Sequence, residues 1–317
     1  MQYTWKISEE NVDDRLDLFL VETFEQTKSR SAIQKAIKLG HILVNGKPAT
    51  VHRFLKDGDV ITYEPKEVVK TNEAPRPNAP HGGAKPSFTV VDENEDWVVI
   101  VKPPGVLVHP DGLQDSGTLV DVLVEKYPQM AKVGEDPARP GIVHRLDREV
   151  GGLMVVAKTQ SGFEALRKQF SSHEVKKTYL ALVHGEMSKE EDDVKFRIAR
   201  STTKARMAAR PQEEEEGKAA WTHYRVTKRF VGATEVLLEI FSGRTHQIRA
   251  HMHALGHAVI GDTLYTAKRP DRNLKLPKLM LQSIELAFVD PKSGDKKAYA
   301  IAPDPLFATL EEEFRVS

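Results

Sequence analysis

The sequence contains no cysteine. Disulfides and thiolate metal centres are therefore excluded, and the composition agrees with a reducing cytoplasm. Net charge is also missing, with 46 Lys and Arg against 46 Asp and Glu. That balance argues against a protein that coats nucleic acid over its whole surface, and leaves room for a local basic face. No run of about 18 apolar residues occurs, so no membrane-spanning helix is expected. The opening residues Met1-Gln-Tyr-Thr-Trp-Lys6 lack the apolar core of a secretory signal. What is present is ordinary globular composition, 40% apolar and 29% charged over 317 residues. That length has room for one large domain and a small one.

The richest stretch runs from Gly141 to Lys158. Leu153 to Ala157 is an apolar run, the pattern of a buried strand. Just before it stand His144, Arg145, Asp147, Arg148 and Glu149, then Gly151 and Gly152. A carboxylate flanked by Arg145 and Arg148 stays ionised, and an ionised carboxylate can act as a nucleophile. A salt-bridged loop leading into a core strand would carry the same residues, so composition alone does not decide.

Residues 1–64 read as a first unit. Val12, Leu16, Phe19, Leu20 and Phe24 have helical spacing, and a second helix is expected over Ala32 to Leu39, with Ser29 or Ser31 before it and Gly40 behind it. His41 to Lys47 reads as a strand entering an Asn45-Gly46 hairpin turn, and Val51 to Tyr63 as further strand broken at Lys56–Asp59. From Lys28 to Lys56 the charges are of one sign: Lys28, Arg30, Lys35, Lys38, Lys47, Arg53 and Lys56, with no Asp or Glu. Such a surface suits phosphate contacts, although a solvated lysine-rich face has the same look. Residues 65–86, with five prolines and Gly82-Gly83, read as an extended linker.

The remaining chain, 87–317, reads as a second domain. Strands are expected at Trp97–Val101, Lys176–Val183, Val236–Phe241 and Leu279–Phe288, and helices at Thr118–Lys126 and Ser161–Phe170. The acidic run Glu213–Glu216 reads as a solvated loop tip. Four histidines, His246, His251, His253 and His257, crowd twelve residues. His253 and His257 have the spacing of a zinc protease pair, but Gly256 interrupts them and no Glu follows His253, so no metal site is expected.

His144-Arg145-Leu146-Asp147-Arg148, with Gly152-Leu153 and Ala157-Lys158, resembles the signature of the RluA-type pseudouridine synthases. Lys102-Pro-Pro-Gly-Val-Leu-Val-His-Pro110 resembles that family's first motif. Ser242-Gly-Arg-Thr-His-Gln-Ile-Arg-Ala-His251, running on to Gly261-Asp262 and Tyr265, resembles its third. In residues 12–64, Arg15-Leu-Asp-Leu-Phe-Leu20, Ser29-Arg-Ser31, Ile37-Lys-Leu-Gly40, Val44-Asn-Gly-Lys47 and Gly58-Asp-Val-Ile61 resemble the small S-four RNA-binding module.

The resemblance implies an α+β architecture: a mixed, largely antiparallel sheet core with flanking helices, plus a small N-terminal α/β RNA-binding domain. It implies isomerisation of uridine in RNA, with ribosomal RNA of the large subunit ahead of transfer RNA as the partner. The reaction involves no redox change and no redox cofactor. Asp147 is implied as the catalytic residue, Tyr179 as the tyrosine against the target base, and Arg244 as the arginine paired with Asp147. Leu281 would line the base pocket. His144, Arg145 and Arg148 would contact RNA around the turned-out uridine, and Lys28, Arg30, Lys35 and Lys38 would hold phosphates beside it. A cytoplasmic monomer is expected. The chain departs from the family pattern at Val150-Gly151, where Thr-Ser is usual, and at Gln282-Ser283, where His-Ala is usual. Two other classes fit parts of the pattern: a nucleoside hydrolase in which Asp147 activates water, and an RNA-binding assembly factor with a silent site.

Overall fold

The structure is a computed structural model. It describes residues 3–8, 11–24, 33–34, 36–37, 39–51, 53–64, 86–111, 114, 116–201, 206–214, 216–266, 276 and 278–315. The chain divides into two compact units, Met1–Gly82 and Gly83–Ser317. Nearly all of the expected linker, 65–86, lies outside the described residues, as do Ser29, Ser31, Lys28, Arg30, Lys35 and Lys38.

The first unit contains β1 (Tyr3–Lys6), α1 (Leu16–Thr23), β2 (Ile42–Val44), β3 (Lys47–Pro48) and β4 (Val60–Tyr63). The four strands form one antiparallel sheet in the order β1-β4-β2-β3. Asn45 (φ 54°) and Gly46 (φ 72°) both adopt left-handed backbone. That pair closes the tight β2–β3 hairpin, and few residues other than Asn and Gly tolerate the conformation. The helix is shorter than its sequence pattern: Val12 precedes it and is exposed. Leu16 and Leu20, one turn apart, face Ile33, Ile37, Ile42, Leu55 and Ile61 in the unit's core. Between Val51 and Tyr63 only β4 is a strand, and Phe54 makes a single bridge to Arg15. Lys56-Asp-Gly-Asp59 turns the chain there, as its composition implies.

The second unit is built on a nine-stranded sheet. Its strands are β5 (Thr89–Glu93), β6 (Trp97–Lys102), β7 (Gly151–Ala157), β8 (Lys176–His184), β9 (Glu191–Val194), β13 (Thr222–Phe230), β14 (Ala233–Ile240), β15 (Leu281–Val289) and β16 (Lys296–Ala300). The order is β5-β6-β7-β15-β8-β14-β13-β9, with β16 on β15. Every pairing is antiparallel except β7 with β15. Three short strands, β10 (Arg197–Arg200), β11 (Met207–Arg210) and β12 (Lys218–Ala219), form a separate small sheet.

The strand β7 is buried along its whole length, which is why it reads as an unbroken apolar run. Each Val or Leu in it contributes about 1.5–3 kcal/mol by burial. Helix α2 (Leu119–Lys126) is capped by Thr118 and Asp121, each bonding to the other's backbone. Thr159 caps α3 (Gln160–Ser171), whose Phe163 and Leu166 pack under β7. Helix α4 (Gln247–Ala254) follows β14, and α5 (Pro305–Arg315) packs Phe307, Leu310 and Phe314 against Leu180, Leu182 and Met280.

The β7–β15 junction positions the site. Gly151 and Gly152 pair in parallel with Gln282 and Ser283. Gly152 has φ +123°, and a Cβ there would lie 2.1 Å from the Ser283 carbonyl oxygen. Only glycine lets the two strands meet this closely. Further along, β15 leaves β7 and takes β16 as its neighbour.

Candidate active site

Asp147 stands on the loop that enters β7. Its carbonyl accepts the Val150 N–H at 3.1 Å, closing a turn over 147–150. The next carbonyl, that of Arg148, accepts from Gly105 N at 2.8 Å and from Lys102 Nζ at 3.1 Å. The same ammonium donates to the carbonyls of Pro103 and Val106. Lys102 is fully buried, and burial pulls its pKa down to about 7, against the raising charges of Glu149 and Asp147. The Lys-Pro-Pro-Gly segment thus clamps the backbone immediately after Asp147.

The Asp147 carboxylate meets Arg249, in the first turn of α4. Arg249 Nη1 lies 3.3 Å from Asp147 Oδ2 and 3.5 Å from Glu149. Its other face is held by Asp262, with Nε and Nη2 at 2.7 and 2.9 Å from the two carboxylate oxygens. Asp262 also accepts the N–H groups of Leu264 and Tyr265. Arg249 is 2% exposed. Burial works against its charge, but the bonds to Asp262 and the charges of Asp262, Asp147 and Glu149 outweigh it and raise its pKa.

Arg244 does not occupy that position, contrary to the sequence expectation. It is exposed, and its Nε donates to the Ala219 carbonyl at 3.1 Å. Among the described residues no Arg244–Asp147 ion pair forms. The reason is local: His246, at φ 55°, turns the chain left-handed before α4 begins. The helix then presents its own first-turn arginine to Asp147. His246 itself lies 4.0 Å from Asp147 Oδ2, with its Nδ1 3.2 Å from the Tyr265 hydroxyl. Gln247 ties this corner together, accepting from Ser242 Oγ and the Arg244 N–H and donating to Trp221 O and Thr222 Oγ1.

A small pocket opens above Asp147, walled by Tyr179, Leu281, Val150 and Ile240, with Arg145, Arg244 and Arg249 around it. Tyr179 is 5% exposed. Burial, followed by the charge of Asp147, pushes its phenol well above the usual range, with a weaker opposing pull from Ser283. The ring is therefore a neutral, apolar wall with a hydroxyl at its edge.

The other expected RNA contacts divide. Arg145 is exposed, with Nη1 3.2 Å from His109 Nε2. Arg148 donates to Gln114 Oε1 at 3.1 Å and lies 3.9 Å from Asp111. His144, expected at the RNA, is committed to the fold. Its Nε2 accepts the Val155 N–H at 3.1 Å, and its ring stacks on Phe170 at 4.6 Å. Burial, helped by Lys177, pushes its pKa down to about 3. The crowded histidines in and after α4 separate: His251 meets Thr222 and the Phe196 carbonyl, and His257 meets the His184 carbonyl.

Both departures from the family pattern fall at one place. Gly151, against Pro104, is the register partner of Gln282, and Ser283 pairs with Gly152 on one side and Tyr179 on the other. Gln282 accepts the Asp304 N–H, and Ser283 donates to the Leu153 carbonyl. Arg249, Asp262 and His246 gather at Asp147 although none of them was expected there.

Comparisons with known proteins agree with this geometry. The family described as RNA pseudouridylate synthase matches residues 96–254, and the S4 domain matches residues 14–61. An uncharacterized RNA pseudouridine synthase of Aquifex aeolicus is 34% identical over 95% of this chain and 94% of its own. The ribosomal large subunit pseudouridine synthase D of Escherichia coli O6:H1 is 36% identical over 98% of this chain and 94% of its own. The solved structure of human RNA pseudouridylate synthase domain containing 1 is 27% identical, with a TM-score of 0.56 over 73% of this chain and 89% of that one. The motif loop beside a buried arginine, the sheet that carries it and these matches agree: the chain belongs to the RluA-type RNA pseudouridine synthases, isomerases of uridine in RNA, and carries an S4 domain ahead of its catalytic unit.

Proposed function

We propose that this enzyme isomerises uridine in large-subunit ribosomal RNA in the cytoplasm, with Asp147 as its nucleophile. The observation that carries the assignment of Asp147 is its pairing with the buried Arg249, itself locked by Asp262. An arginine so held fixes the carboxylate of Asp147 at the wall of the pocket. The bond from ribose to base nitrogen breaks, the base turns within the pocket, and it rejoins through carbon. Asp147 serves this by attack on the base or at the sugar. Tyr179 offers the uracil ring a flat aromatic wall and Leu281 an aliphatic one.

Tyr179 shares the pocket with Asp147, and its hydroxyl would help remove the carbon-bound proton at the last step. With its phenol held neutral, it needs a partner to act as a base. A uridine in folded RNA reaches the pocket only when turned out of its stack, and the exposed Arg145 and Arg244 at the rim hold the strand while it is out. Lys28, Arg30, Lys35 and Lys38 of the S4 unit add phosphate contacts to the RNA.

Large-subunit ribosomal RNA is favoured because relatives named for it align with nearly the whole chain, S4 unit included. Nucleotide-resolution pseudouridine mapping of cells with and without the protein tests this. Loss of one or a few sites in large-subunit RNA is expected. Loss confined to transfer RNA would move the substrate there. An abasic site in place of pseudouridine would make the protein a hydrolase.

A further inference from the structure

Lys177 lies two residues before Tyr179 on β8, so both side chains fall on one face of the strand, about 7 Å apart along it. Both line a groove of about 460 Å³ next to the Asp147 pocket. The two cavities share Arg145, Tyr179, Ile240, Gly243 and Arg244 as walls. The groove's charged lining is Arg139, Arg145, Lys177 and Arg244, joined by His109, His144 and His173, and no Asp or Glu among the described residues lines it. Arg139 is paired with Asp136 and Arg145 touches His109.

Lys177 is different from these. It is 8% exposed, yet among the described residues its ammonium has no ion pair and no hydrogen bond; it sits 5.3 Å over the Phe170 ring. The stem is buried while the ammonium keeps solvent access at the groove, so an anion entering the groove can reach it. Its neighbour His144 is neutral and already bonded to the β7 backbone, so it cannot serve as a partner. Burial has pulled the Lys177 pKa down to about 8, so it stays mostly charged at neutral pH, and an anion beside it would raise the pKa again.

We propose that this groove receives a phosphodiester of the RNA strand beside the target uridine, and that Lys177 is the cation that pairs with it. The inference rests on the reading of the Asp147 pocket as the uridine site, because the shared wall sets the distance between base and phosphate. Arg145 and Arg244 close over the same phosphate from the rim. Lys177 is then a specificity-determining contact: it reads where the backbone runs once the base has entered.

The test uses the full chain and Lys177→Met, which keeps the stem and removes the charge. Thermal unfolding should show Lys177→Met close to wild type in stability, because the buried stem is kept and no ion pair or hydrogen bond among the described residues is lost. Its affinity for substrate RNA should nevertheless fall roughly tenfold. The slope of log affinity against log salt should flatten by about 0.7, the value for one single-strand phosphate, and turnover at saturating RNA should stay within about threefold. A scan of RNAs with single methylphosphonates should find one position flanking the uridine that weakens wild type and leaves Lys177→Met indifferent.

Unchanged affinity and slope in Lys177→Met would overturn the proposal and leave the lysine a packing residue over Phe170. Inorganic phosphate that raises the melting temperature through Lys177, with RNA affinity indifferent to both the variant and every methylphosphonate, would make this a free-phosphate site and also overturn it. Wild-type product formation is measured alongside. Its absence would count against the uridine pocket, while the binding arms still decide Lys177.

Discussion

Arg249 Nη1 lies 3.3 Å from Asp147 Oδ2, across 102 residues of sequence, and the opposite edge of the same guanidinium is bound by Asp262. One planar group thus joins the motif loop, the first turn of α4 and the Gly261-Asp262 corner. A lysine could not do this, having a single point of charge and no fork.

Arg249→Met should therefore fail in two separable ways. It strands the buried Asp262, which costs about 3–5 kcal/mol, and it frees Asp147. Adding Asp262→Leu removes the stranded charge and should recover most of that stability, while pseudouridine formation stays at least a hundredfold below wild type. Urea unfolding and a single-turnover assay measure the two. Activity recovered along with stability would show that Arg249 only holds the fold.

Arg244 should behave differently. It is exposed and bonded to one backbone carbonyl, so Arg244→Met should leave unfolding free energy within about 0.5 kcal/mol of wild type. The loss should appear in RNA affinity and its salt dependence, with turnover at saturation changed only a fewfold. A thousandfold loss of turnover would return Arg244 to the side of Asp147.

Acid should weaken the fold before the carboxylates titrate. Burial pushes His251 to about 4 and His144 to about 3, and His109 to about 4 by burial and the charge of Arg145. Unfolded, each titrates near 6.5. Between 6.5 and these lower values the unfolded chain binds more protons, so stability falls as pH falls through that window. The fully buried His251 alone accounts for up to about 1.4 kcal/mol per pH unit. Urea unfolding at pH 7, 6 and 5 should show this decline, and His251→Gln should reduce its slope. An equal slope in the variant would mean that His251 is already charged in the fold.

The S4 unit should contribute affinity without chemistry. Replacing Lys28, Arg30, Lys35 and Lys38 together by Gln should flatten the salt slope of RNA binding by roughly 0.7–0.9 for each phosphate no longer neutralised. Turnover at saturating RNA should hold. An unchanged slope would remove these four residues from the interface, and a hundredfold loss of turnover would mean the unit helps build the active site.

Much of this arrangement was legible in the sequence, for physical reasons that differ by element. β6, β7 and β8 are buried on nearly every residue, so their apolar runs stand out. Asn45-Gly46 announces its turn because few other pairs accept two positive φ values. The short strands β9 to β12 carry charged and small residues, and only tertiary pairing makes them strands. The motif around Asp147 stands out in the chain, but the arginine beside it lies five residues beyond the expected Arg244. The family resemblance pointed to Arg244, and nothing local reveals that His246 turns left-handed and lets the helix supply Arg249 instead. His144 misled for a similar reason: a histidine beside a charged cluster looks exposed until Phe170 and the Val155 N–H are brought over it.

The most direct test is Asp147→Asn, assayed for pseudouridine by nucleoside chromatography under single-turnover conditions with excess enzyme. Asparagine keeps the shape of the side chain and removes the nucleophilic charge. The variant should fold, bind substrate RNA with affinity within about tenfold of wild type, and form product at least a thousandfold more slowly, if at all. Product formation within tenfold of the wild-type rate would contradict a nucleophilic Asp147.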